Sequence, residues 1–211
     1  MPLTILLIRH AEPIAPGTPG FDEFTRPLTA KGLRDADRLS ETHASTRIDA
    51  AYSSPYLRAR QTIEPISRAR GLAIDTIDDL RERTLSLAEL PDWRSHLKRS
   101  WEDFDYAPPG GETGRDAQAR IIRVLDVIAT RHAAGTVVLA SHGNLIALAL
   151  NAFIRTSITR SGNQSRRPPC SLLFATAPDG ALPPTRASAC VVLACGRNSR
   201  SARRSCRPLR H

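Results

Sequence analysis

The chain opens on an apolar run, Leu3 to Ile8, broken only by Thr4 and ended abruptly by Arg9-His10. A short run that is apolar at successive positions predicts a strand covered on both faces, as in a parallel sheet. The Pro- and Gly-rich stretch from Pro13 to Gly20 predicts a loop. Thr29 then reads as an N-cap with Leu28 and Leu33 at the spacing of a hydrophobic staple, starting a helix to about His43. Ile48–Ser53 predicts the next strand, Leu57–Arg70 the next helix, Gly71 its stop and Ala73–Ile77 a short strand.

Residues 78–112 have no clear period. Pro91, Trp93, Trp101, Phe104, Tyr106, Pro108 and Pro109 are mixed with charges there, which predicts either an aromatic lid or a short surface helix packed by its two tryptophans. Thr113, three residues before Asp116, starts a helix with Ile121, Ile122, Leu125 and Ile128 on one face. Thr136–Ala140 is then a buried strand that leaves through Ser141-His142-Gly143-Asn144 into an apolar helix. Those polar residues and Asn151 make strand, turn and helix a better reading of Thr136–Phe153 than a membrane span. Strands alternating with helices predict the α/β class, doubly wound, with three α/β/α layers and a mostly parallel central sheet.

After Ile154 periodicity is lost. The chain divides into 1–154, patterned and charge-balanced, and a tail, 155–211, rich in Arg, Ser and Pro. Runs such as Arg197–Arg204 read as disordered, and only Leu172–Ala175 and Ala189–Ala194 offer apolar pieces that could pair at a sheet edge. The formal net charge of +9 resides in that tail, which holds 11 arginines against one acid, Asp179. Such a tail would bind polyanions in a salt-dependent way, but no recognition motif for nucleic acid accompanies it. All four cysteines, Cys170, Cys190, Cys195 and Cys206, lie there too, at spacings that suit neither a disulfide framework nor a zinc site. No secretory signal is legible, so a cytoplasmic location is expected.

The chemistry is concentrated where predicted strands end. Arg9-His10 follows the first and His142 follows the strand at 136–140, the positions at which open α/β sheets bind ligands. Arg58 falls in the first turns of the helix after Ser53-Ser54-Pro55. Two arginines that can hold oxygens bidentately and two histidines describe a pocket for a dianionic phosphate. Nothing completes a metal site around these histidines, no metal or cofactor is implied, and no Gly-rich nucleotide loop is present.

Six segments in chain order resemble the histidine phosphatase superfamily, of the phosphoglycerate mutase-like fold. They are Ile8-Arg9-His10-Ala11-Glu12, Pro27-Leu28-Thr29-Ala30-Lys31-Gly32, Ser53 to Thr62, Leu80-Arg81-Glu82-Arg83, Gly110-Gly111-Glu112-Thr113 and Ser141-His142-Gly143-Asn144. The resemblance implies a phosphomonoester hydrolase working through a phosphohistidine, with His10 as nucleophile, Glu82 as general acid and His142 as a further catalytic donor. Arg9, Arg58, His142 and Asn144 would bind phosphate; Glu12 and Ser54 would orient the surroundings. Arg81 and Arg83 would oppose the acid role of Glu82 if they pointed inward. The alternatives are phosphotransfer of the phosphoglycerate mutase type and an inactive, misfolded product. A small phosphorylated substrate and a possible homodimer are the expected partners, with no specific nucleic acid and no membrane. Two departures stand out: Ala11 replaces the family's usual glycine, and the tail replaces its usual closing segments. The tail is therefore read as disordered or as a shifted reading frame.

Overall fold

The opening apolar run forms β1 (Leu3–Arg9), and its neighbours explain why both its faces are apolar. In the computed structural model, which describes residues 3–158, 170–173 and 190–195, β1 lies inside a six-stranded sheet. Its partners are β4 (Gly135–Ser141), parallel, and β6 (Cys190–Cys195), antiparallel. Beyond β4 come β2 (Ala50–Ser53) and β3 (Ile74–Thr76), both parallel; beyond β6 comes β5 (Cys170–Leu173), antiparallel. The order is β3-β2-β4-β1-β6-β5.

Alternate residues of the inner strands feed two cores. Leu3, Ile5, Leu7, Val137 and Leu139 pack with α4 (Gly114–Arg131) and α5 (Gly143–Ile158) through Ile121, Leu125, Ile128, Leu145 and Leu148. Leu6, Ile8, Ala51, Val138 and Ala140 point the other way, onto Ala59, Ile63 and Ile66 of α2 (Leu57–Arg68). The helix α1 (Ala30–Thr42) packs beside α2. This is the expected three-layer arrangement, and each such Leu or Ile fully buried contributes about 1.5–3 kcal/mol.

The helix starts follow local chemistry. Thr29 and Thr113 cap α1 and α4, their hydroxyls accepting from Gly32 N and Asp116 N at 3.0 Å each. Leu28 is buried, but Leu33 remains 45% exposed and contributes little to the staple. Gly71, at φ +62°, follows α2 as the expected stop. The irregular stretch yields one helix, α3 (Trp93–Glu102), capped by Asp92. Trp101 packs on the first core edge-on to Phe104, as a structural tryptophan should, whereas Trp93 is 48% exposed.

Beyond residue 154 the structure describes three short pieces of the tail. The helix α5 runs on to Ile158, and Cys170–Leu173 and Cys190–Cys195, which overlap the two apolar pieces, pair as β5 and β6. Short edge strands set among Arg, Ser and Pro give almost no periodic signal, which is why the sequence made them no more than possible. The tail arginines from Arg160 to Arg210 lie outside the described residues, and so does any question of their order. Among the described residues no helix is long and apolar enough to cross a membrane.

Gly32 explains one of the six segments. A Cβ there would sit 2.2 Å from the Glu12 carbonyl oxygen, the same oxygen that accepts from Thr29 N at 2.9 Å. The first turn of α1 thus rests on the backbone that leaves β1. Gly32→Ala is expected to lower stability by about 1–3 kcal/mol, the usual cost of overpacking. A urea titration measures it, and an unchanged midpoint would contradict that contact.

Candidate active site

Because β1 and β4 are parallel and in register at Arg9 and Ser141, they end side by side. His10 N donates to Ser141 O at 3.0 Å, and the next residue on the other strand is His142. The two imidazoles meet edge to face with centroids 5.1 Å apart. The strand β2 ends at the same level: Ser54 N donates to Ala140 O at 2.9 Å, and Ser54 Oγ is 2.8 Å from His142 Nε2. Three parallel strands therefore deliver His10, His142 and Ser54 to one place at their carboxyl ends.

The state of His10 follows from its contacts. Its Nδ1 lies 2.8 Å from the Ala11 carbonyl oxygen, which can only accept, so the proton is on Nδ1 and Nε2 keeps its lone pair. Burial, seconded by the charges of Arg58, Arg9 and Arg26, outweighs that hydrogen bond and lowers its pKa to about 4. The ring is neutral at pH 7 and partly exposed. Ala11 is held by Thr62 Oγ1, which accepts from its N–H at 2.9 Å, and packs with Leu28 and Ala36; its methyl is simply core.

His142 is wholly buried, and burial first, then the charges of His10 and Arg58, hold its pKa well below the usual value. Its Nδ1 is buried without a partner among the described residues. The ring also stands edge-on to Tyr56 at 5.0 Å.

Arg58 reaches the same place from the start of α2 and is only 2% exposed. Its guanidinium lies over the Tyr56 ring, 4.7 Å from the centroid. Its Nη1 donates to Glu23 O at 2.7 Å and its Nη2 to Glu23 Oε2 at 2.9 Å, while its Nε is buried without a partner among the described residues. The other oxygen of that carboxylate, Oε1, is 3.0 Å from Arg26 Nη2. Arg26 is itself buried, donates to Ile14 O at 2.8 Å and also has an Nε with no partner among the described residues.

Glu23 and Arg26 escaped the sequence reading. The loop that carries them has no period, and the only signal was an arginine directly before Pro27-Leu28-Thr29. Arg9, by contrast, was expected and makes no ion pair among the described residues. It lies against Gly143, where a Cβ would come 3.2 Å from its Nε, so the glycine after His142 makes room for the guanidinium.

Glu82 sits on the amino end of α5. Its Oε1 accepts from Arg83 N at 2.9 Å and Leu145 N at 3.1 Å, and its Oε2 from Asn144 N at 3.2 Å. Those bonds favour the carboxylate, but burial is the larger influence and raises the pKa above the ordinary glutamate value. The concern over Arg81 and Arg83 is resolved by where they point. Arg83 donates to Glu112 O, Ser100 Oγ and Tyr106 O, and Arg81 Nε to Asp78 O. Arg120 holds the segment in place, forking onto Glu112 at 2.9 and 2.7 Å and donating to Arg81 O at 3.0 Å.

Asn144 joins the site through its backbone, and its Oδ1 is buried without a partner among the described residues. The Glu12 carboxylate faces out toward Lys31 at 3.5 Å; only its backbone serves the turn. Among the described residues no three His, Cys, Asp or Glu side chains converge as metal ligands do.

The fold and several of these segments have counterparts elsewhere. The chain is 32% identical to a bifunctional protein of Mycobacterium tuberculosis over 72% of its own length, but covers only 45% of that relative. It is 29% identical to a 2,3-bisphosphoglycerate-dependent phosphoglycerate mutase of Mesorhizobium japonicum, covering 78% of this chain and 85% of the mutase. Among solved structures, mycobacterial glucosyl-3-phosphoglycerate phosphatase superposes with a TM-score of 0.61 at 23% identity, over 72% of this chain and 79% of that one. Bacillus stearothermophilus YhfR does so with a TM-score of 0.58 at 28% identity, over 72% and 80%. The paired histidines at adjacent strand ends, with an arginine at the head of the next helix, fit the match to the sequence model of the histidine phosphatase superfamily, branch 1, over residues 5–180, and the chain belongs to that superfamily.

Proposed function

We propose that the protein hydrolyses the phosphomonoester of a small phosphorylated metabolite through a phosphohistidine on His10. One observation carries the reading: a neutral imidazole whose Nε2 is left as a lone pair stands edge-on to a buried second histidine, close enough to Arg58, Arg9 and Arg26 to feel their charges. Every group used lies in the 1–154 unit, whose sheet is closed by the edge strands β5 and β6.

In the first step His10 Nε2 attacks phosphorus in line, the ester P–O bond breaks, and the Glu82 carboxyl gives its proton to the departing alkoxide. Arg9 and Arg58 hold the phosphoryl oxygens as charge shifts. A Ser54 hydroxyl donating to His142 Nε2 puts the remaining proton on His142 Nδ1, the nitrogen without a partner, as a further donor. In the second step the Glu82 carboxylate takes a proton from water, the water oxygen bonds to phosphorus, and the P–N bond breaks to release phosphate.

The likeness to solved phosphatases supports hydrolysis, while the rhizobial relative supports a mutase. Partial exposure of the His10 ring favours water as acceptor. Single-turnover release of the alcohol from an alkyl phosphate, read before water attacks the phosphohistidine, tests the acid: Glu82→Gln should lose about 10²–10⁴-fold, the size of general acid catalysis. A nitrophenyl phosphate, whose leaving group needs no proton, should lose far less. Equal losses on both substrates would remove Glu82 from that role.

A further inference from the structure

Arg58 poses a problem in the ligand-free protein that Glu23 solves. A guanidinium 2% exposed needs an anion beside it, because a buried charge without a partner is costly. The carboxylate of Glu23 supplies that anion and bridges to Arg26. We propose that Glu23 is a built-in competitor for the phosphate clamp: its carboxylate occupies the Arg58 Nη2 that a phosphoryl group takes, and must leave Arg58 for the substrate to bind. This rests on the reading of Arg58 as a phosphate ligand.

The two sides of the pair differ in freedom. Arg58 is fixed in the first turn of α2 against Tyr56, whereas the Glu23 side chain is 52% exposed and can turn into water. Glu23 is carried by a self-contained turn, in which the Asp22 carboxylate accepts from Thr25 N at 2.7 Å and Arg26 N donates to Asp22 O at 2.9 Å. The turn is tied to α2 by Leu57 N donating to Phe24 O at 2.8 Å, a bond that places Glu23 without requiring its carboxylate.

The arginines themselves point to a larger anion. Nε of Arg58 and Nε of Arg26 are both buried without partners among the described residues, so the single carboxylate leaves a donor on each guanidinium unmet. A phosphoryl group carries more oxygens and more charge than a carboxylate and can satisfy the Nε edge as well. Exchange therefore replaces a partial match by a fuller one, and Glu23 lowers apparent affinity by the fraction of molecules in which it is bound.

The test is titration of inorganic phosphate into the full chain by calorimetry. Glu23→Gln, nearly the same shape without the charge, is expected to tighten phosphate by about tenfold and to lower KM for an aryl phosphate. Glu23→Asp, too short to reach, should shift affinity in the same direction and serves if the glutamine variant fails to melt cooperatively. A purely structural role, in which Glu23 holds Arg58 ready, gives the opposite sign. Phosphate binding by the unaltered protein that is lost in Arg58→Ala establishes the clamp independently; affinity unchanged or weakened in both Glu23 variants then overturns this inference alone. No phosphate binding by the unaltered protein overturns the clamp and the inference together.

Discussion

His10→Ala is expected to abolish turnover of a chromogenic aryl phosphate, with a loss of about 10⁴-fold or more, because the variant has no atom to accept the phosphoryl group. Arg9, Arg58 and His142 would still be present, so binding of phosphate should survive. Loss of turnover with binding retained separates a missing nucleophile from a collapsed pocket. The same residue sets the acid side of the pH profile. With its pKa lowered to about 4 by burial, His10 should remain neutral and reactive through pH 5, and kcat/KM should fall only toward pH 4 rather than near the ordinary histidine value of 6.5.

That shift also has a stability consequence. A folded pKa below the unfolded one means that between pH 6.5 and about 4 the unfolded chain holds more protons than the native one. The contribution of neutral His10 is therefore complete above pH 6.5 and lost as pH falls through that window. His142, also held well below its ordinary value by burial, acts in the same sense. Removing His10 should flatten part of this acid dependence.

Arg58→Ala carries the second large effect. It deletes a buried guanidinium whose two Nη groups rest on Glu23 and whose Nε has no partner among the described residues, and loss of a single donor to the phosphoryl group costs about 2.7–4 kcal/mol in the transition state. A fall of about 10²–10³-fold in kcat/KM is expected. Truncation also leaves a space beside Tyr56 and frees Glu23, so thermal melting must accompany the kinetics. Arg58→Lys provides the control: it restores charge without the fork and should recover only part of the loss. Turnover within a few-fold of the unaltered protein in the alanine variant, with its fold intact, would take Arg58 out of the mechanism.

What could be read from the chain before its structure reflects which contacts are local. The apolar period gave β1, β2, β4 and the helices between them, since each buries a face whose pattern is written over a few residues. His10 and His142 were legible because each directly follows such a strand. Arg58 was legible for a similar reason, at the head of a helix. Glu82 was found only through its resemblance, and its ties to Asn144 and Leu145 connect positions more than sixty residues apart that no local pattern links.

Glu23 and Arg26 were missed because they act through a loop that folds back over the start of α2. The edge strands were underrated for a related reason. β6 pairs with β1 at the far end of the chain and β5 only with β6, and pairings such as Leu3 with Cys195 leave no mark on the short apolar pieces themselves. Distant pairing, rather than polarity, separates what the sequence revealed from what required the fold.

The most direct measurement is to mix the protein with an aryl phosphate, quench in alkali within one turnover, and locate the phosphoryl group by mass spectrometry of peptides. The account predicts a phosphoryl group on His10, stable in alkali, discharged by acid and absent from His10→Ala. Turnover with no phosphorylated histidine, or with the phosphoryl group on any residue other than His10, would contradict it.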